Sequence, residues 1–250
     1  MLKYIFIIPY RDRENQKQLY TIYMKYLLED YQEEEYKILF VNQKNNLPFN
    51  RGGIKNCGFL YIKETYPEDY KKFIFIFNDI DTLPYKKNVL DYNTTTGIVK
   101  HFYGFNFALG GLFSITGEDF ETINGFPSLW YWGWEDSVIY KRCLSHNIKV
   151  DRSVFFTFGN KNILHLVDDL KKIYSKNTVD NYKNNSIVDG FKELKEVTYL
   201  LNDNDPNILD VSNFKSVHPI NDSTITQFNV GRYNKFVGTK KERKKSLLFL

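Results

Sequence analysis

The sequence predicts an α/β fold, a Rossmann-like mixed and mostly parallel central sheet flanked by helices. Three observations predict it. Apolar runs at residues 3–9, 36–41 and 73–77 are too short to be helices and rich in β-branched and aromatic residues, as strands buried on both faces are. Helical periodicity fills the two intervals between them. The resulting order β-α-β-α-β is that of a doubly wound half-sheet with right-handed crossovers.

Residues 3–9 form the first strand. Leu19, Ile22, Tyr23, Tyr26 and Leu27 then recur at helical spacing and predict an amphipathic helix over residues 14–31. After the second strand, 36–41, a loop with Pro48 and Gly52-Gly53 leads into a helical pattern through Ile54, Cys57, Tyr61 and Ile62. The third strand ends in Asn78-Asp79-Ile80-Asp81, and Pro84 soon stops any pairing. Two carboxylates one residue apart thus sit at the carboxyl end of a central strand, where open α/β sheets bind ligands. They read either as a metal site or as a solvated turn closing the strand. Residues 91–107 lack periodicity and read as loop with short strands. Gly110 and Gly111, within the run 108–115, either let backbone approach a ligand closely or form a bulge. Thr116-Gly117-Glu118-Asp119 opens a short helix ending near Gly125 and Pro127. A helix over 137–146, a strand over 148–158 and a loop over 160–165 follow. An amphipathic helix is expected over 188–201 and a last strand over 223–230.

Composition limits the function classes. With 42% hydrophobic and 26% charged residues, the chain is an ordinary soluble globular protein. Its 19 Tyr and 21 Phe reflect a biased composition, so scattered aromatics carry little weight. A net charge of +4, with basic residues spread out except at the C-terminus, gives no nucleic-acid surface. Cys57 and Cys143 fall in helical patterns as small core residues and indicate no disulfide framework. The apolar segment 2–8 is broken by Lys3 and followed by Pro9-Tyr10-Arg11, which is neither signal peptide nor anchor, so a cytoplasmic protein is expected. Neither G-x-G-x-x-G nor G-x-x-x-x-G-K-[ST] occurs, which disfavours dinucleotide oxidoreductases and P-loop enzymes. The tail 236–250, basic and then apolar, reads as a solvated end or as a weak peripheral contact with an anionic membrane surface.

Two clusters carry chemistry. Arg11 and Arg13 leave the first strand's carboxyl end and Arg51 follows the second. Guanidinium groups converging at one sheet edge suit a diphosphate, which their planar fork binds bidentately; singly, each is a surface arginine. All three tryptophans lie in Trp130-Tyr131-Trp132-Gly133-Trp134-Glu135-Asp136. An aromatic wall beside carboxylates is what a sugar needs, rings for its C–H faces and acids for its hydroxyls; the alternative is a tryptophan-rich loop packed on the domain. Glu135 and Asp136 also complement the dipole of the next helix. His165 is structural if alone and a metal ligand if the carboxylates lie beside it.

In this order the motifs resemble those of the β-1,4-galactosyltransferase family, inverting GT-A (GT7-like) glycosyltransferases that use UDP-sugars with manganese. Ile7-Ile8-Pro9-Tyr10-Arg11-Asp12-Arg13 is similar to I-I-P-F-R-x-R, Phe49-Asn50-Arg51 to F-N-R, and Phe77-Asn78-Asp79-Ile80-Asp81 to F-x-D-V-D. Leu109-Gly110-Gly111 resembles F-G-G, and Ile123-Asn124-Gly125-Phe126-Pro127 with Trp132-Gly133-Trp134-Glu135-Asp136 resembles I-N-G-F-P…W-G-W-G-G-E-D. Ile163-Leu164-His165 looks like M-I-R-H and Asp189-Gly190-Phe191 like D-G-L.

The resemblance implies a single GT-A domain over residues 1–235, with a nucleotide-sugar half to about 84 and an acceptor half beyond. It implies that Pro9, Arg11, Arg13, Phe49, Arg51, Asp79, Gly110, Gly111 and Trp134 bind the UDP-sugar, Trp134 on a closing loop. Asp81, His165 and Asn162 would hold Mn²⁺. Asp136 would be the general base, with Tyr131, Trp132 and Glu135 beside it on the glycan or glycoprotein acceptor. Three departures qualify this. The two glycines between W-G-W and E-D are missing, which shortens the hinge. Asn162 replaces a methionine, a harder donor that shifts preference toward Mg²⁺. Ala108 replaces a larger residue near the donor's C2 substituent, which leaves the donor hexose open. The expected function is metal-dependent transfer from a UDP-sugar to a glycan hydroxyl. The rivals are a non-catalytic carbohydrate-binding or scaffolding protein of the same fold, and a nucleotidyltransferase, which gives no reason for the Trp cluster.

Overall fold

A computed structural model describes residues 1–166, 170–221 and 223–230, and at its centre lies β1 (Tyr4–Tyr10), buried along its whole length. It pairs in parallel with β2 (Tyr36–Gln43) on one side and β3 (Ile74–Asn78) on the other. The crossovers are α1 (Glu14–Leu27) and α2 (Arg51–Thr65), so the expected half-sheet is present. Alternation decides which layer each residue joins. On β3, Phe75 and Phe77 pack with Phe59 of α2, while Ile74 and Ile76 pack with Tyr20 and Met24 of α1. The first helix stops at Leu27, short of residue 31, where Glu29 and Asp30 turn outward to Lys87.

The chain continues through β4 (Thr82–Pro84), β5 (Ile98–Gly104), β6 (Leu112–Thr116) and α3 (Gly117–Thr122), whose N-cap Thr116 accepts from Asp119 N–H as its sequence motif predicts. Next come α4 (Glu135–Ser145), β7 (Lys149–Asp151), β8 (Phe156–Thr157), β9 (Ile163–His165), β10 (Leu170–Ser175), α5 (Lys176–Lys183), β11 (Lys195–Asn202), β12 (Asp205–Lys215) and β13 (Ile225–Val230). The main sheet runs β11-β12-β2-β1-β3-β6-β5-β7, with β8 also beside β5. It is mixed, because β3 pairs antiparallel with β6 and β11 with β12.

Three expectations fail locally, the first being the loop over 160–165, whose last residues form β9 by pairing with β4. Residues 188–201 are not a helix; they hold one 3-10 turn, Phe191–Glu193, and then β11. Gly190 is wedged against Asn124, whose carbonyl oxygen a Cβ would meet at 1.8 Å, and Val197 to Leu201 are drawn into an antiparallel ladder with β12. The single strand expected over 148–158 is two short ones, interrupted where Asp151 accepts from the Ser153 N–H. Cys57 and Cys143 are buried and free, and burial pushes the Cys143 thiol up to about 12. Among the described residues no helix is long and apolar enough to cross a membrane. The tail 236–250 lies outside the described residues.

Candidate active site

The carboxyl ends of β1, β2 and β3 open on one cavity of about 540 Å³. Pro9, Arg11 and Arg13 line it from the end of β1, Phe49 and Arg51 from the entry to α2, and Asp79 and Asp81 from the end of β3. Gly110, Gly111, Tyr131, Trp132, Glu135 and Asp136 line it from the second half of the sheet, together with His165. Trp134 and Asn162, both expected here, do not line it. Trp134 has φ 72° at the N-cap of α4, and its ring stacks on Tyr182 at 4.3 Å. Asn162 directly precedes β9 and is held by its backbone, its N–H donating to Asn160 Oδ1 and its carbonyl accepting from Tyr85.

Buried Asn78 shapes the acidic turn. Its Oδ1 accepts from the Tyr20 hydroxyl at 2.7 Å, and its amide donates to the carbonyls of Asp79 and Thr82. The turn is therefore fixed rather than solvated. β4 then pairs with β9 in a register that sets Thr82 opposite His165, and Leu166 N–H donates to the Asp81 carbonyl. Asp81 Oδ1 and His165 Nε2 consequently lie 3.7 Å apart. Burial pushes the Asp81 carboxyl up and Asp79 adds to this, against the pull of His165 and Arg13. The other imidazole nitrogen, His165 Nδ1, bonds the Tyr103 hydroxyl at 3.1 Å.

A second acidic centre faces the first. Asn50, fully buried, caps α2 by accepting from Gly53 N–H and donates to the Ser128 carbonyl, which aims the next residue, Arg51, into the cavity. Arg51 bonds three carboxylates at once: Nη1 to Asp79 at 2.9 Å, Nε to Glu135 at 2.8 Å and Nη2 to Asp136 at 2.5 Å. Lys55, one turn further along α2, approaches Asp79 Oδ1 at 3.3 Å and Asp136 Oδ1 at 4.0 Å. Burial raises the Asp79 carboxyl, but Arg51 and Lys55 outweigh it and hold that acid below the usual range. For Asp136 burial wins, and with Glu135 and Asp79 nearby its carboxyl rises to about 6.

Glycine is required where the two halves meet. A Cβ on Gly110 would stand 2.6 Å from Asp136 Oδ2, and Leu109 N–H donates to the Asp136 carbonyl. Gly110 is braced in turn by His101, which burial lowers to about 4 and so keeps neutral. Arg152 Nε donates to His101 Nδ1, leaving Nε2 as the N–H that donates to the carbonyls of Tyr103 and Gly110.

The tryptophan cluster divides three ways. Trp130 is buried against Phe214, and its indole N–H donates to the His218 carbonyl. Trp132 lines the cavity, tied by its backbone N–H to the Ile173 carbonyl, and Trp134 packs outside. The Tyr131 hydroxyl donates to the Ile220 carbonyl. Trp130, Tyr131 and Trp132 all line the cavity, so two of the three tryptophans stand on the wall expected from sequence and Trp134 does not.

The site fits a divalent cation at one place. A carboxylate and an imidazole 3.7 Å apart can share an ion held at about 2.1 Å from each. Among the described residues no three His, Cys, Asp or Glu side chains gather as a metal cage, so the remaining ligands would have to come from substrate or water. Next to this place, Arg13 Nη1 is buried without a hydrogen-bond partner, as a donor awaiting an anion would be.

Sequence reading missed Lys55, Tyr103, His101 and Arg152. Lys55 had a signal, standing four residues after Arg51 and so on the same face of a helix whose neighbours Gly52, Cys57 and Gly58 are small.

Residues 1–93 match the model for the N-terminal region of glycosyl transferase group 7, and residues 97–166 match a model described as the N-terminal domain of galactosyltransferase. The chain is 31% identical to β-1,4-galactosyltransferase 1 of Bos taurus over 163 residues, 60% of this chain and 38% of that one. It therefore spans well under half of that relative. With the xylosylprotein 4-β-galactosyltransferase of Caenorhabditis elegans it shares 26% identity over 208 residues, 78% of this chain and 70% of the relative. Among solved structures it superposes on the catalytic domain of Drosophila β1,4-galactosyltransferase 7 in complex with xylobiose, with a TM-score of 0.66 at 20% identity, covering 88% of this chain and 96% of that one. A mutant of that enzyme in complex with manganese, UDP-Gal and xylobiose gives a TM-score of 0.65. The fold is that of the GT-A galactosyltransferases.

Proposed function

The chain belongs to the glycosyltransferase group 7 family, and from that premise we propose that it is a metal-dependent inverting glycosyltransferase. It moves a hexose or N-acetylhexosamine from a UDP-sugar to a hydroxyl of a glycan or glycoprotein. Residues 1–84 handle the nucleotide sugar, and the later half handles the acceptor. The observation that carries this reading is one cavity with two separate acidic centres. One is an acid and an imidazole 3.7 Å apart. The other holds Asp136, whose carboxyl is raised to about 6.

Asp81 and His165 hold the cation. When bound there, a divalent ion neutralises the diphosphate and so eases departure of UDP. The mixed oxygen and nitrogen pair suits Mn²⁺ better than Mg²⁺, which demands oxygen ligands, and the preference for Mg²⁺ expected through Asn162 loses its support because that residue does not line the cavity. Arg11, Arg13 and Arg51 bind the nucleotide's phosphates and orient it; Arg11 lies against Phe49, 5.1 Å from the ring centroid, as a guanidinium beside a base-stacking ring does. Asp136 takes the proton of the acceptor hydroxyl at the near-neutral pH its burial sets, with Glu135 beside it on the acceptor. Trp132 and Tyr131 supply rings for a sugar face and limit water at the reacting carbon. Ala108, also on the cavity wall, leaves room at the donor's C2 position, so an N-acetylated donor belongs in the assay.

Purified protein with Mn²⁺ and a panel of UDP-sugars is expected to release UDP, slowly without acceptor and faster with one. No UDP release with any donor refutes the reading; release unchanged in Asp81→Ala refutes the metal assignment.

A further inference from the structure

The acid cluster contains a cation that the reaction above does not use. Lys55 shares its helix face with Arg51, but its side chain is 1% exposed against 21% for Arg51. Only Arg51 lines the cavity. The two cations divide the carboxylate oxygens between them. Arg51 takes Asp79 Oδ2 and Asp136 Oδ2 by hydrogen bonds. The other two oxygens, Asp79 Oδ1 and Asp136 Oδ1, are buried without a hydrogen-bond partner, and they are the ones the Lys55 ammonium approaches, at 3.3 and 4.0 Å. Behind it the Phe126 ring closes the site, with its centroid 4.8 Å from Nζ.

Accessibility separates the roles. A diphosphate entering the cavity competes with the carboxylates for the Arg51 fork, because phosphate oxygens are bidentate acceptors of the same geometry. It cannot draw Lys55 away, since the ammonium sits on the helix side of the acids. A buried ammonium is held only where it is paired, and its partners here are the two acids nearest the reaction. We propose that Lys55 is a positioning residue, the fixed counter-ion that keeps the carboxylates of Asp79 and Asp136 in place when Arg51 is drawn to the donor. The proposal rests on the transfer reading given above.

Lys55→Met, close in length and apolar, separates this from mere packing. In the transfer assay kcat is expected to fall about 10²-fold, the scale of a small misplacement of a reacting group, while KM for the UDP-sugar stays within about twofold. Arg51→Lys is expected to do the reverse and raise KM. A packing role would lower the yield of folded protein without splitting kcat from KM. An unchanged kcat in folded Lys55→Met overturns the proposal. A measurement that needs no activity runs beside it, the urea midpoint of Lys55→Met in the wild-type chain and in an Asp79→Asn/Asp136→Asn chain. A large loss in the first background that mostly disappears in the second supports the pairing. So does a Lys55→Met chain that folds only when both acids are neutralised. Equal losses in both backgrounds overturn it. If the wild-type chain transfers no sugar, the transfer reading falls, and the urea cycle still decides whether Lys55 holds the two acids.

Discussion

Asp81 and Asp136 are both half-buried acids on one cavity wall, and desolvation pushes both carboxyls up, yet their partners differ. Asp136 is neutralised from within by Arg51 and Lys55. Asp81 has a histidine 3.7 Å away and the Thr82 hydroxyl at 3.2 Å, and among the described residues no Lys or Arg pairs with it. An acid whose contact partner is an imidazole, with Arg13 acting on it only through the field, is placed to receive a cation from solution. An acid with resident cations and a near-neutral carboxyl is placed to carry a proton. The difference teaches that resident counter-charge, more than burial, separates the two carboxylates' tasks.

The contrast breaks most directly at Asp136. Asp136→Asn should lower kcat by about 10²–10⁴-fold, the usual weight of a general base, with Mn²⁺ and UDP affinity intact by titration calorimetry. In the wild-type chain the same group should appear as an acid limb of kcat/KM near pH 6, falling about tenfold per pH unit below it as the base is protonated. Stability gives the opposite sign. The folded carboxyl at about 6 lies above the roughly 3.9 of an unfolded aspartate, so its contribution is fully present below that unfolded value and is lost as pH rises through 6. The urea stability of Asp136→Asn relative to wild type should therefore rise as pH rises through 6 and fall back on acidification.

The metal side yields smaller effects. Tyr103→Phe removes the partner of His165 Nδ1 and should weaken Mn²⁺ binding by about 10–100-fold, leaving the acid limb of the pH profile in place. Gly110→Ala is expected to act on the other centre alone. Its Cβ would force Asp136 Oδ2 to move, lowering kcat about tenfold with Mn²⁺ affinity unchanged.

The first half-sheet was legible because its strands are buried on both faces and close to one another in sequence, so local pattern and topology agree. The site residues beside it, Asp79, Asp81, Arg51, Glu135 and Asp136, were legible as polar groups abutting apolar runs. Distant pairing was not. β10 joins β13 across some sixty residues, Leu170 opposite Val230, and no local period announces that. Over 188–201 the apolar spacing fits a helix, while the partner strand β12 and the wedge at Gly190 make it a ladder. Lys55 was passed over because a lysine in a helical pattern ordinarily faces water. Its burial becomes visible only when Asp79 and Asp136, 24 and 81 residues away in sequence, are brought beside it. Asn162 and Trp134 show the converse, since motif position placed both in the cavity and the local backbone turns them elsewhere.

The most direct test of the two-centre account is Mn²⁺ binding in the presence of UDP, followed by the electron spin resonance of the ion in wild-type, Asp81→Ala and Asp136→Asn chains. The account predicts that Asp81→Ala abolishes the bound signal, while Asp136→Asn keeps the wild-type affinity and loses only sugar transfer. Equal loss of bound Mn²⁺ in both variants, or a wild-type signal in Asp81→Ala, would contradict it.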